Sequence, residues 1–318
     1  RRRGDFPAAP NLYRRGEAMK GVITEIERFS LRDGPGIRTT VFIKGCNMAC
    51  KWCHNPETLQ IRPQLMVYPE KCLGCGACVR ACKSGARSIK DGRLRYDRAL
   101  CTGCGACAGG CFTGALVLSG REMTVEQVMG EILQARAYYE NSGGGVTLSG
   151  GELTTQPEFA KALLEAIKAQ GISTALETNM HAPWHIYESL LPLVDLVMFD
   201  IKIFDAAAHK KWTGVGNDRI LKNAKRLAES GKDFLVRTPV IPGVNDAEEE
   251  IGNIAEFVGG LGGAQYYELL LFNPLGESKY QALEADNRFK GARPSPQDTA
   301  ERLRRTAERR SGLPVRVG

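Results

Sequence analysis

Three cysteines, Cys46, Cys50 and Cys53, stand in one short segment directly after an apolar run at 39–43. They are separated by three and then by two residues, so a single loop can wrap them around one metal cluster. Three thiolates on a cubane of four irons leave one iron without a protein ligand, and a substrate can coordinate that iron. The segment therefore predicts an iron–sulfur cluster with one open site.

Paired cysteines also occur in structural zinc sites and in disulfides. Structural zinc takes four closed ligands, and the nearest fourth candidate, His54, follows Cys53 too closely to complete a tetrahedron comfortably. The 11 cysteines divide into groups of three, four and four, at 46–53, 72–82 and 101–111. An odd total argues against a purely disulfide framework, and the clustering favours metal. Because oxidation would destroy such sites, we expect a reducing, anaerobic cytoplasm as their setting.

The cysteine segment, with Trp52 before its last cysteine, resembles that of the S-adenosylmethionine (SAM) radical superfamily. The preceding turn, Asp33–Thr39, is similar to that of the activating enzymes of glycyl radical enzymes, and this resemblance continues to about Tyr280. It implies reductive cleavage of SAM at the cluster of Cys46, Cys50 and Cys53. The 5′-deoxyadenosyl radical would then take a hydrogen from a backbone glycine of a partner enzyme.

Residues 68–118 differ from the rest in being rich in Cys, Gly and Ala, and they contain Cys-x2-Cys-x2-Cys-x3-Cys twice. The repeat resembles a bacterial two-cluster ferredoxin, in which the fourth cysteine of each run serves the other cluster. The residues that usually follow the fourth cysteines are prolines, whereas Lys83 and Phe112 stand here. The resemblance implies two further 4Fe-4S clusters, one on Cys72, Cys75, Cys78 and Cys111 and one on Cys82, Cys101, Cys104 and Cys107.

From Thr124, an expected helix N-cap, helical and strand-like periods alternate along the chain. After a first strand at 39–44, strands are expected at 145–149, 172–177, 194–201, 233–240 and 265–272. Alternating strands and helices predict an α/β fold with a parallel sheet and right-handed crossovers. Six such strands resemble the partial (β/α)6 TIM-type barrel of the superfamily, built here from 19–67 and 119–318 around a ferredoxin-like domain at 68–118.

Each expected strand ends in a candidate site residue. The resemblance implies that Gly150, Gly151 and Glu152 hold the amino group of SAM, since glycines expose carbonyls and a carboxylate complements an ammonium. It implies that Lys202 pairs with the methionine carboxylate and that Arg237 is an active-site cation. The remaining implied residues are Asn273, where relatives often carry histidine, and a monovalent cation site for Na⁺ or K⁺ at Glu177, Thr178, Met198 and Asp200.

For two candidate residues, a purely structural role explains the sequence as well as a functional role does. Asp33 either faces the peptide to be modified or only caps its turn. Trp52 lies beside the adenine or packs under the loop. A single charged residue at a strand end is usually solvated, but several at successive strand ends beside a cluster loop favour an active site.

The net charge of +7 is concentrated at the two ends, with +3 in residues 1–18 and +3 in 301–310. The near-neutral remainder does not indicate a nucleic-acid footprint, although a basic tail for DNA or anionic lipid stays an alternative to solvated ends. Residues 1–18 are expected to be a disordered basic arm. No apolar run approaches the roughly 20 residues that cross a bilayer, and no signal-peptide stretch begins the chain. We expect a cytoplasmic protein that binds neither nucleic acid nor membrane.

The partner is expected to be a lyase, dehydratase or decarboxylase, since the simplest family member, which activates the formate-producing lyase, lacks the insert. A low-potential ferredoxin or flavodoxin is the expected electron donor. Two other functions stay open. The chain could be an iron–sulfur electron carrier with the barrel as a scaffold, or a radical enzyme acting on a small molecule or on RNA.

Overall fold

A large β-sheet runs through the computed structural model, and the structure describes residues 13–14 and 17–318. The strands, in chain order, are β1 Tyr13–Arg14, β2 Glu17–Ala18, β3 Lys20–Ser30, β4 Arg38–Ile43, β5 Gln64–Val67, β6 Arg87–Lys90, β7 Arg93–Tyr96, β8 Leu116–Ser119, β9 Arg121–Thr124, β10 Gly145–Gly150, β11 Ser173–Thr178, β12 Leu196–Asp200, β13 Phe234–Val240, β14 Ala264–Leu271 and β15 Val315–Val317. The helices are α1 Ala77–Ala81, α2 Ala106–Gly109, α3 Val125–Leu133, α4 Arg136–Ser142, α5 Pro157–Ala169, α6 Trp184–Leu190, α7 Ala206–Thr213, α8 Asp218–Glu229, α9 Glu248–Leu261, α10 Glu277–Leu283 and α11 Gln297–Ser311.

Nine strands form the main sheet in the order β15-β14-β13-β12-β11-β10-β4-β3-β9. Every pair from β15 to β4 is parallel, whereas β3 pairs antiparallel with both β4 and β9. The predicted α/β class with a large parallel sheet is confirmed. Because parallel strands end at the same edge, the loops that follow β4 and β10 to β14 meet there.

The sheet is larger than the six parallel strands that the sequence predicts. A seventh parallel strand, β15, pairs with β14, and β9 adds an antiparallel strand beside β3. β15 has only three residues, so it is too short to show a periodic pattern. Its position on the sheet is set by pairing with a strand about fifty residues earlier, which no local signal reveals.

Helices cover the sheet with apolar faces that match their periodicity. The N–H of Gln127 donates to Thr124 Oγ1 (3.2 Å) and the N–H of Thr124 donates to Gln127 Oε1 (2.9 Å). This capping box confirms Thr124 as the N-cap of α3. The Arg-rich C-terminal helix α11 follows Pro296 and buries Leu303 and Ala307 against the core. Among the described residues, no helix is both long and apolar enough to span a bilayer.

Residues 64–119 form a small unit that leaves and rejoins the main domain through the antiparallel pair β5 and β8. It contains the hairpin β6–β7 and two short helices, α1 and α2. Each helix follows a left-handed glycine, Gly76 (φ 70°) or Gly105 (φ 75°), a conformation that favours glycine. The same turn and short helix therefore occur twice in the unit, once in each of the two cysteine runs.

Arg98 ties this unit to the main domain. Its guanidinium donates to Leu65 O (2.9 Å) and to Ala282 O (2.8 Å), and it pairs with Glu284 (2.9 Å). Several donors on one planar group fix orientation as well as distance. The second half of the unit is thus held against the region around α10.

Most of the predicted basic arm at 1–18 lies outside the described residues. Within it, β1 and β2 pair antiparallel, with Tyr13 opposite Ala18 and Arg14 opposite Glu17. This short pairing differs from the unstructured segment that the sequence predicts, since two residues a side are too few for a periodic pattern.

Candidate active site

The loop after β4 places its three cysteines on one cavity of about 590 Å³. Two N–H groups of the loop donate to the last turn of α7, from Ala49 to Thr213 O (2.8 Å) and from Lys51 to Trp212 O (3.1 Å). The sequence analysis missed α7, since its alanine and lysine residues show no apolar period. The protein itself therefore fixes the backbone of the cysteine loop.

The three thiols of the loop share one cavity. Cys46, Cys50 and Cys53 line the cavity, and no fourth cysteine of the described ranges joins them there. Burial raises the pKa of Cys46 and of Cys53 to about 12, so these thiols stay protonated at neutral pH unless a metal displaces the proton. Three thiols on one cavity suit a cubane with an open corner better than a closed zinc site.

The rest of the cavity wall comes from the ends of the parallel strands and the loops that follow them. Two predicted site residues, Asp33 and Glu152, do not line it. The predicted residues that do are Trp52, Gly150, Gly151, Glu177, Thr178, Met198, Asp200, Lys202, Arg237 and Asn273. The structure thus brings together residues separated by more than two hundred positions, as the shared sheet edge predicts.

Arg237 is the centre of a buried ion-pair network in this wall. Its guanidinium donates to Glu177, to Glu268 (2.8 Å) and to the carbonyl of Arg32 (2.8 Å). Asp200, Arg237 and Glu268 lie side by side on β12, β13 and β14. Burial acts to lower the pKa of Arg237, but Glu177 and Glu268 outweigh it and raise the pKa above its usual value. The guanidinium is therefore a permanent cation in the cavity.

Glu268 is a functional candidate that the sequence analysis missed. It stands alone as a charge within the strand segment Tyr266–Leu271, which is otherwise apolar apart from tyrosine hydroxyls. That isolated charge in a strand was the available signal. Its half-buried carboxylate pairs with the buried guanidinium of Arg237, so the two form one unit.

Lys202 and Asp200 form a second ion pair in the cavity. Burial acts to lower the pKa of Lys202, but Asp200 outweighs it and raises the pKa above its usual value. The predicted cation ligands Glu177, Thr178, Met198 and Asp200 all line the same wall. Their oxygens already have partners, because Glu177 accepts from Arg237, Thr178 donates to Glu152 and Asp200 accepts from Lys202.

Glu152 lies behind the wall, where only 1% of it is exposed. Its carboxylate accepts from the Thr178 hydroxyl (3.0 Å), the Thr154 hydroxyl (2.8 Å) and the Asn179 N–H (2.7 Å). Burial raises the pKa of Glu152 above its ordinary value, and the hydrogen bonds from these donors only reduce the size of that rise. The carboxylate is thus used to hold the ends of β10 and β11 together, and it does not face the cavity in which the sequence analysis placed it.

Asp33 takes the turn-capping position that the sequence analysis left open. Its carboxylate accepts from the hydroxyls of Ser30 (2.7 Å) and Thr40 (2.5 Å), and its carbonyl accepts from Thr147 (2.6 Å). The neighbouring Arg32 lines the cavity in its place. Arg38, from the same turn, is 1% exposed and donates to carbonyls and a hydroxyl of β10 and β11.

Gly150 and Gly151 lie where no side chain fits. A Cβ on Gly150 (φ 123°) would lie 2.1 Å from Ile43 O, and one on Gly151 would lie 2.3 Å from Gly45 O. Their backbones therefore pack directly against the cysteine loop. Strand β10 thereby sets the distance between this loop and the rest of the wall.

Trp52 and Asn273 both have structural contacts in addition to facing the cavity. Trp52 is buried with Ile203, Ile241 and Phe272. Asn273 Oδ1 accepts from the N–H of Leu275 (3.2 Å). Each side chain therefore has a fixed orientation at the cavity edge.

Asn179 joins the end of β11 to the cysteine loop, a link that the sequence analysis missed. Its side-chain amide donates to Asn47 Oδ1 (2.8 Å) and lies 3.9 Å from Cys46 Sγ, while Asn47 donates to His181 O (2.9 Å). The backbone N–H of Asn179 is held by Glu152. A chain of hydrogen bonds therefore runs from Glu152 through Asn179 to Cys46.

We expect Asn179→Ala to loosen the cysteine loop, because a buried amide pair is broken and Asn47 is left without its partner. The free energy of unfolding should fall by about 1–3 kcal/mol, and a ferrous chelator should remove iron from the first cluster several-fold faster than in the wild type. Asn141→Ala, on the exposed side of α4, is the matched control and should change neither quantity. Equal rates of iron loss in the two variants would contradict the assignment.

The cysteines of residues 72–111 separate into two groups in the structure. Cys82, Cys101, Cys104 and Cys107 line one small cavity, the four that the ferredoxin resemblance assigns together. In the other predicted group, Cys72 and Cys75 are exposed. Protein donors point at these sulfurs, with the Gly74 N–H 3.4 Å from Cys72 Sγ and the Arg87 guanidinium 3.7 Å from Cys78 Sγ. Donors to sulfur favour the thiolate form that a cluster requires.

Comparison with known families places these features in one group of proteins. Residues 100–258 match the radical SAM superfamily. Residues 71–115 match the 4Fe-4S dicluster domain, and residues 32–89 match the 4Fe-4S single cluster domain. A crystal structure of Streptococcus suis SuiB bound to the precursor peptide SuiA has a similar fold, with a TM-score of 0.51 at 15% identity over 86% of this chain and 46% of that one.

Two curated relatives are much closer in sequence. The (2S)-3-sulfopropanediol dehydratase activating enzyme of Klebsiella oxytoca is 41% identical over 92% of this chain and 94% of its own length. The benzylsuccinate synthase activating enzyme of Thauera aromatica is 40% identical over 93% and 92%. With the superfamily match and the three thiols on one strand-end cavity, the chain belongs to the radical SAM superfamily and, within it, to the activating enzymes of glycyl radical enzymes.

Proposed function

We propose that this chain activates a partner glycyl radical enzyme by removing a hydrogen from one of its backbone glycines. The observation that carries the proposal is the single cavity that joins three thiols to the polar ends of five parallel strands. A reduced cluster and SAM, when both are bound there, supply the chemistry that abstracts hydrogen. The protein contributes by binding and orienting these groups and by holding fixed charges around them.

The cavity offers a partner for each polar part of SAM. Lys202 is a cation for the methionine carboxylate, and Gly150 and Gly151, which line the cavity, supply backbone carbonyls for the ammonium group. Trp52 supplies an aromatic face and Asn273 an amide at the cavity edge. Arg237 remains a cation in the wall. In this proposal Glu152 acts on the ammonium only through the segments that it positions.

We also propose the domain organisation and the cluster count. Residues 19–67 and 119–318 form the partial (β/α)6 barrel, and residues 68–118 form a ferredoxin-like domain. The domain carries two 4Fe-4S clusters, so the chain holds three. A monovalent cation, Na⁺ or K⁺, at Glu177, Thr178, Met198 and Asp200 is a secondary part of the proposal, because carboxylates have lone pairs beyond those that Arg237 and Lys202 use.

The proposed partner is a lyase, dehydratase or decarboxylase of the glycyl radical group. The relatives named above, which are activating enzymes of a sulfopropanediol dehydratase and of benzylsuccinate synthase, support a partner other than pyruvate formate-lyase. A low-potential ferredoxin or flavodoxin in the cytoplasm would supply electrons. The proposal includes no nucleic acid and no membrane.

The test is anaerobic incubation of the reconstituted protein with dithionite and SAM. We expect 5′-deoxyadenosine and methionine in equal amounts, and a glycyl radical signal by electron paramagnetic resonance when a candidate partner is added. Absence of SAM cleavage by protein with its full iron content would refute radical chemistry. Cleavage without a radical on any glycyl radical enzyme would favour a small-molecule substrate.

A further inference from the structure

The two cysteine groups of residues 68–118 lie in different surroundings. The group of Cys82, Cys101, Cys104 and Cys107 shares its cavity with Leu65 and Leu118, from β5 and β8. A Cβ on Gly103 would lie 2.7 Å from Pro63 O, which shows how closely this part approaches the main domain. Arg98 fastens the residues just before Cys101 to Leu65 and Ala282. We call this group the inner group, and the group of Cys72, Cys75, Cys78 and Cys111 the outer group.

The group that contains Cys72, Cys75 and Cys78 faces outward. Cys72 and Cys75 are exposed, whereas Cys104 is the one exposed cysteine of the inner group. A Cβ on Gly74, between Cys72 and Cys75, would meet no atom within 4 Å. The first group therefore lies at the solvent side of the unit, and the inner group lies at its junction with the barrel.

Two large apolar side chains beside the outer group have no packing partner. Leu73, next to Cys72, is 82% exposed, and Phe112, next to Cys111, is 103% exposed. The ferredoxin resemblance assigns Cys72 and Cys111 to the same cluster. A fully exposed phenylalanine loses the free energy that burial of its ring would give, so its position is explained best by burial against another protein.

The part of the chain that carries the outer group is also rich in basic side chains. Residues 68–118 contain eight Lys and Arg against three Asp and Glu, and all of these charges lie before residue 99. Lys71 precedes Cys72 and Arg80 donates to Cys75 O (3.5 Å), both in the outer group, whereas Lys83 follows Cys82 of the inner group. All three are exposed. Although thiolate-bound clusters add negative charge at the sulfurs, these long side chains form a cationic rim outside them.

We propose that this outer face, defined by Leu73, Phe112, Lys71, Arg80 and Lys83, is the docking surface for an acidic, low-potential one-electron carrier protein. The inference rests on the proposed function, since it requires the clusters to be present. The carrier loses one electron and the outer cluster gains it, with no proton or bond transferred. The electron then passes through the inner cluster toward the barrel cavity. An acidic carrier fits because an apolar contact gives affinity and opposite charges orient the encounter.

The test measures binding of a purified acidic bacterial ferredoxin to the reconstituted full chain by anaerobic surface plasmon resonance. Leu73→Ser/Phe112→Ser should weaken binding about tenfold or more. Lys71→Glu/Lys83→Glu should weaken it and reduce its dependence on salt. Iron content and visible absorption should stay unchanged in both variants. The matched controls are Leu31→Ser, another exposed apolar residue, and Lys161→Glu/Lys222→Glu on the outer helices; neither should alter affinity.

Unchanged ferredoxin affinity in both test variants would overturn the proposal. The proposal would also be wrong if these variants bound ferredoxin normally but lost binding to the glycyl radical enzyme, since the face would then dock that partner.

SAM cleavage driven by dithionite separates this inference from the proposed function. Cleavage should be equal in the wild type and the variants if only docking is affected. Its absence in the wild type would refute the proposed function without changing the binding result.

Discussion

Cys50→Ala is expected to abolish SAM cleavage while leaving the two proposed clusters of residues 68–118 in place. With one ligand of three removed, the first cluster should not be retained, and iron should fall from roughly twelve to roughly eight atoms per chain. Production of 5′-deoxyadenosine should fall to background with dithionite as reductant. Cys50 is a small side chain and the loop backbone is held by α7, so the fold should persist.

Cys72→Ala is the matched control for this experiment. It removes a ligand from the outer cluster but leaves the barrel cavity unchanged, so dithionite should still drive cleavage. The pair of variants also separates the enzyme from an electron carrier, since a carrier would keep electron transfer after Cys50→Ala. Cleavage retained by Cys50→Ala at wild-type rates would show that the cavity cysteines are not the site of the chemistry.

The local motifs and the positions of the six predicted parallel strands were accessible from the sequence because each depends on neighbouring residues. Cys46, Cys50 and Cys53 stand within eight positions, and the strands that bring Lys202 and Arg237 to them are apolar runs with clear ends. Parallel pairing then requires that these ends share one edge. The candidate cavity follows from those two facts.

Side-chain direction was not accessible in the same way. Glu152 and Asp33 follow the expected strand or turn, yet their carboxylates turn away from the cavity to accept hydrogen bonds from hydroxyls. Whether a carboxylate faces a cavity depends on donors from other segments, such as Thr178 and Thr40. The Asn47–Asn179 link joins residues 132 positions apart. The apolar residues of α7 do not recur at helical spacing, so the helix has no local signal. Such contacts exist only in the assembled fold.

Arg237→Met is expected to lower the free energy of unfolding by about 3–5 kcal/mol, because it leaves two half-buried carboxylates without their cation. Glu177 and Glu268 both accept from this guanidinium in the wild type. Methionine has a similar length and fills the space, so the loss is electrostatic and does not come from a cavity. Anaerobic thermal unfolding by circular dichroism should show a Tm lower by roughly 10 °C.

The size of this loss should depend on pH with a defined sign. Burial raises the pKa of Glu177 above its ordinary value of 4.5, and Arg237 opposes the rise. Without Arg237 the pKa rises further. A carboxyl whose folded pKa is raised contributes its stability below its unfolded pKa and loses it as pH increases through the folded value. The difference in Tm between the variant and the wild type should therefore be larger at pH 8 than at pH 5.

Two further variants test the cause. Arg237→Met/Glu177→Gln should recover part of the stability and lose most of the pH dependence, because a neutral amide replaces the unpaired carboxylate. Arg305→Met removes an arginine whose ion pair with Glu301 is on the surface of α11, and it should have little effect on Tm. If Arg237→Met were equally destabilised at pH 5 and pH 8, the Glu177 carboxylate could not be the source of the loss. The network around Arg237 would then act through packing alone.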